Sequence, residues 1–178
     1  MFQNVMGPMA PRRSHLFAAA LAFVLFAATG SHTMVAAAAP LAERQGWAVH
    51  QTRKPYPQLV EDVIAATKAQ GLVVVTQAGP TKAAAARGIT IPGNRVIGVF
   101  NNDYAVRVLS HSTAAMIEAP IRLYVTEGED GLATLSYKTA THVFAPYLDE
   151  GGADLADIAA ELDQHLDAIA QNAARSAP

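Results

Sequence analysis

The chain has 178 residues, 15 acidic and 13 basic side chains, and no cysteine. That length suits one domain with a core of its own. The missing thiols exclude disulfides, thiol catalysis and thiolate metal sites, and the acidic balance speaks against nucleic acid or an anionic membrane surface as a partner.

At the amino terminus Arg12 and Arg13 are the only charges before Glu43, and they precede an apolar run from Leu16 to Ala28. As a helix, about 13 residues rise only about 20 Å against a hydrocarbon core of about 30 Å, so a cleavable leader is preferred over a retained anchor. Residues 1–38 are read as a signal peptide cut after Ala38, with Ala39 as the second choice. The product is periplasmic or secreted, without a stable membrane anchor. Its arginine pair fits the twin-arginine route, but polar His15 interrupts that pattern, and a plain positive n-region is preferred. Only Arg12 and Arg13 leave with the leader, so 15 acidic residues then face 11 basic ones and the net charge falls to about −4. Residues 39–48 are assigned to a linker, 49–173 to the domain and 174–178 to a tail.

Along the domain, Trp47 to Thr52 reads as a strand, and Pro55 and Pro57 open a helix running to about Gln70. Leu59, Val60, Val63, Ile64 and Thr67 fall at helical spacing, and Gly71 suits the left-handed position after the helix. Leu72 to Thr76 is a β-branched strand ended by Gly79-Pro80, and Thr81 is placed to cap a short helix from Lys82 to Arg87. Arg95 to Phe100 is the next strand. Asn101, with Asn102 or Asp103 as rival cap, opens a helix carrying Tyr104, Ala105, Val108 and Leu109. Strands Ile121 to Thr126 and Leu132 to Lys138 form a hairpin around Gly128 and Gly131. The last helix, Ala153 to Asn172, carries Leu155, Ile158, Leu162, Leu166 and Ile169 on one face, while Asp154, Asp157, Glu161, Asp163 and Asp167 form a solvated one. This order predicts an α+β fold: a mainly antiparallel sheet with helices packed on one face.

The residues also carry a family likeness. The segment from about Val49 to Ala173 resembles the DUF302 family through Gly71, Gly88, Pro92, Val96-Ile97-Gly98-Val99-Phe100-Asn101, Ala105, Leu109, Pro120-Ile121-Arg122-Leu123-Tyr124-Val125, Glu127, Gly131 and Leu135-Ser136-Tyr137. The resemblance implies a TATA-binding-protein-like α+β fold and no assigned activity. It departs from the family pattern twice. Asn102 stands where a proline usually follows the motif asparagine, and Thr139-Ala140 stands where an acid-proline pair is usual.

No reaction is written in the residues. His50, His111, His142 and His165 lie on different elements with no metal-ligand spacing, Ser110-His111-Ser112 lacks a nucleophile elbow, and neither phosphate-loop nor dinucleotide glycines occur. No metal and no cofactor is expected. The candidate ligand-binding set is Asn101, Tyr104, Arg107, Arg122, Tyr124 and Tyr137, whose amide, phenol and guanidinium groups suit a small anionic or aromatic molecule. Strand alternation puts Arg122 and Tyr124 on one face and Ile121, Leu123 and Val125 on the other. The preferred reading is a non-catalytic binding or accessory module that takes a small molecule or self-associates. A cofactor-free enzyme working through the Asn101 to Arg107 region is the alternative.

Overall fold

A computed structural model describes residues 41–175; the leader, its cut site near Ala38 and the last three residues lie outside them. Five strands, β1 (Trp47–Pro55), β2 (Val73–Ala78), β3 (Asn94–Phe100), β4 (Ile121–Glu127) and β5 (Leu132–Lys138), form one antiparallel sheet in the order β1-β5-β4-β3-β2. The helices are α1 (Tyr56–Ala69), α2 (Thr81–Ala85), α3 (Asn102–His111), α4 (Ala140–Phe144) and α5 (Leu148–Ala174). The α+β architecture is the expected one. Among the described residues no helix is long and apolar enough to cross a membrane.

The core lies between one sheet face and helices α1 and α5. Leu59, Val63, Ala66 and Thr67 of α1 are buried, and the Thr67 hydroxyl donates to the Val63 carbonyl at 2.8 Å, so even the polar member of the stripe is satisfied. Prolines start α1, and Gly71 at φ +75° follows its C-cap, as the spacing requires. Leu155, Ile158, Leu162, Leu166 and Ile169 of α5 are all buried. They meet Ile97, Val99, Leu123, Val125, Ala133 and Leu135 of the sheet in a single cluster.

Four local expectations need correction. Thr81 does not cap α2 with its side chain; its hydroxyl donates to the Pro92 carbonyl at 3.3 Å, because the loop before β3 passes within reach. The last helix starts at Leu148 rather than Ala153, and the two parts are joined across Gly152, whose φ of 57° and ψ of −147° only glycine accepts readily. Helix α4 was not legible in the sequence. Thr139 caps it by accepting from the His142 amide at 3.3 Å. The acidic face of α5 is only partly solvated: Asp163 accepts from the Ala140 amide, from the Thr141 amide at 3.2 Å and from the Thr141 hydroxyl at 2.7 Å. A proline at position 140 would have no amide to donate, so Ala140 and Asp163 belong to one arrangement.

Candidate binding face

The sequence-derived site residues fall in three separate places. Asn101 caps α3, accepting from the amides of Asp103 at 2.8 Å and Tyr104 at 3.2 Å, while its own amide donates to the Gly71 carbonyl at 3.1 Å. It therefore ties the start of α3 to the turn after α1. Tyr104 and Arg107 project from α3 to Glu161 of α5: Arg107 makes two bonds, at 2.6 and 3.0 Å, and the Tyr104 hydroxyl donates at 3.4 Å. The hydrogen bonds from Arg107 are the chief cause holding the Glu161 carboxyl below its ordinary range. Burial, then the Glu161 charge, pushes the Tyr104 phenol up. These groups clasp two helices.

Tyr137 requires a correction. In the β4–β5 register it pairs with Leu123, which puts it on the helix-covered face, buried at 3% exposure and stacked on His50 with ring centroids 5.9 Å apart. Burial raises its phenol pKa first, and the charges of Asp167 and Asp163 raise it further. It borders the same cavity as Arg122 and Tyr124, but its ring lies on the other side of the sheet from theirs, because strand neighbours one residue out of phase point to opposite faces.

The opposite face, which α1 and α5 do not cover, holds the remaining two. The registers align Val49, Ser136, Tyr124 and Val96 in one row across the sheet, and Gln51, Thr134, Thr126 and Asn94 in the next. A row nearer the start of β1 carries Trp47, Lys138, Arg122 and Gly98. Trp47, Asn94, Val96, Glu118, Arg122, Tyr124, Lys138 and Val143 help line a cavity of about 390 Å³ on this face. That volume lies in the range of small-molecule sites. Its walls are aromatic and aliphatic. The Tyr124 hydroxyl accepts from the Asn94 amide at 2.6 Å, which leaves its own proton free to donate.

The cations there are poorly matched. Arg122 comes no nearer than 3.9 Å to Glu118, whose other oxygen accepts from the Tyr147 hydroxyl at 2.8 Å. Lys138 makes no ion pair among the described residues and lies 5.9 Å from the centroid of the Trp47 ring. Two like charges on neighbouring strands repel, so an anion between them relieves a cost that the sheet otherwise carries.

Among the described residues, His50 stacks on Tyr137, His111 lies 3.7 Å from Asp154, His142 is exposed on α4, and His165 meets the edge of Tyr104. Among the described residues no three metal-ligating side chains converge. Ser112 is buried at the end of α3. Its hydroxyl donates to Glu150 at 2.6 Å and accepts from the Ala115 amide at 3.0 Å. Trp47, Asn94 and Lys138 are among the site residues that sequence reasoning missed; the signal available was Lys138 in phase with Ser136, two positions before it on β5.

Fold and face together define a small α+β domain with one sheet face open among the described residues. The family model described as "Domain of unknown function DUF302" matches residues 48–173, and the chain belongs to that family. A solved structure, the uncharacterized conserved protein DUF302 from Bacillus stearothermophilus, superposes with a TM-score of 0.65 at 20% sequence identity, covering 74% of this chain and 100% of that one. At that identity the likeness concerns the fold. No curated protein matches the sequence.

Proposed function

We propose that this domain is a non-catalytic binding module that works in the periplasm and takes a small aryl carboxylate on its open sheet face. One observation carries the reading: Arg122 and Lys138 face each other on β4 and β5 above an aromatic-walled cavity, Lys138 with no ion pair among the described residues and Arg122 with only the Glu118 carboxylate, at 3.9 Å. A flat apolar body would lie against Trp47 and Tyr124, and its carboxylate would bridge the two cations. The periplasmic part rests on the leader pattern of residues 1–38. Asn101, Tyr104 and Arg107 give little support to the enzymatic alternative, since each is already engaged in capping or in the α3–α5 clasp.

The test uses benzoate, phenylacetate and indole-3-acetate in thermal melts. At about 10 mM at least one should raise the melting temperature, because a ligand that binds only the folded state stabilises it. The neutral benzamide should not, and Arg122→Ala or Lys138→Ala should abolish the shift. Equal responses from wild type and both variants would overturn the reading. Native mass spectrometry of protein from the periplasmic fraction reads the mature amino terminus and any retained ligand in one experiment; an intact Met1 would refute export with cleavage.

A further inference from the structure

The open face is electrically polarised along its strands. At one end lie Arg122 and Lys138, which outnumber the single carboxylate there, Glu118, 3.9 Å from Arg122. At the other, a groove of about 790 Å³ runs on from the same Asn94 and Tyr124 and is lined by the exposed Glu129 and Asp130 and by Glu127, whose carboxylate accepts from the Gly93 amide at 2.6 Å, with no basic side chain among its lining residues. Glu129 and Asp130 are exposed on the β4–β5 hairpin. Arg122 and Glu127 are five residues apart on β4, which separates the two ends by about 17 Å.

We infer that this face docks on a second copy of the chain, sheet against sheet, about a twofold axis lying between the faces and running across the strands. Two closed twofold arrangements bring such a face onto itself. An axis along the strands would set cations on cations and carboxylates on carboxylates. An axis across the strands lays each strand over the same strand of the partner, reversed. Arg122 then meets the partner's β4 end at Glu129, and Lys138 meets the partner's β5 end at Asp130. Charge thus selects one arrangement, and the axis passes near the half-buried Tyr124 row, which has no ionised group to desolvate. Aligned sheets pack in this way at about 10 Å separation. Five strands about 4.8 Å apart and seven residues long offer about 570 Å² per copy, hence about 1,100 Å² in total, above the roughly 1,000 Å² that a specific contact needs. An aryl carboxylate in the cavity would use the same two cations, so ligand and partner are alternative occupants, and the dimer does not depend on the ligand reading.

Sedimentation equilibrium on the protein expressed from the full chain tests this with Arg122→Glu, Glu129→Arg and their combination. Glu129 makes no hydrogen bond or ion pair among the described residues, so its replacement does not threaten the fold, and melts of all variants check this. A wild-type dimer is expected whose dissociation constant rises about tenfold between low and high salt, and each single reversal should raise it about tenfold or more, since every pair occurs twice across a twofold. The combined swap should bring it back to within about threefold of wild type. Lys138→Glu, as a second variant at the cationic end, should weaken the dimer as Arg122→Glu does. A wild-type monomer at about 100 µM, a dimer indifferent to the single reversals, or a combined swap no better than either single change would each overturn the proposal.

Discussion

Replacing Asn101 separates a capping role from a ligand role. Its carbonyl accepts two amides of the first turn of α3, and its amide reaches the Gly71 carbonyl. Losing the cap costs about 0.5–2 kcal/mol. The tie to Gly71 is exposed and adds at most about 0.5–1 kcal/mol. Asn101→Ala should therefore destabilise by about 1–3 kcal/mol, and for a domain of this size each kcal/mol lowers the melting temperature by about 3–5 °C. Asn101→Ser and Asn101→Asp keep the acceptor, and aspartate gains from the helix dipole, so both should recover the capping part and lose only the Gly71 tie. Urea melts of the four proteins give the free energies directly. If serine and aspartate were as damaging as alanine, capping would not be the cause. An alanine variant as stable as wild type would show that the three hydrogen bonds contribute nothing. Stabilisation by whichever aryl carboxylate raises the wild-type melting temperature should survive in all three variants, because Asn101 is not among the residues lining the open-face cavity.

Two further perturbations follow. Leu135 is fully buried within the core cluster, so Leu135→Ala should cost about 2–5 kcal/mol in the same urea assay, and a smaller loss would mean that the sheet and helices collapse onto the gap. Glu161 has a folded-state pKa held below its ordinary 4.5, first by its hydrogen bonds to Arg107, so its contribution is present above that value and is lost as pH falls through the folded-state value. Melts of Glu161→Gln across this acid window should therefore show a flatter decline than wild type, and parallel curves would refute the clasp.

The fold was largely legible because its signals are local. Alternation along Ile121 to Thr126 gave the two faces of β4, the spacing from Leu155 to Ile169 gave the buried stripe of α5, and Asn101 ahead of a helical pattern gave a cap. Each depends on residues a few positions apart, where period and propensity act directly. Helix α4 escaped because its first amides are met by Asp163, a residue more than twenty positions later in the chain. The candidate site was half legible for the same reason. Arg122 and Tyr124 share a face by the alternation of a single strand, whereas the partners of that pair depend on which strands lie beside β4 and in what register. Tyr137 turns inward because it pairs with Leu123, and Lys138 and Trp47 reach Arg122 only because β1 and β5 are neighbours in the sheet. A one-residue change of register would reverse both assignments, and register is decided by the buried packing of the whole sheet.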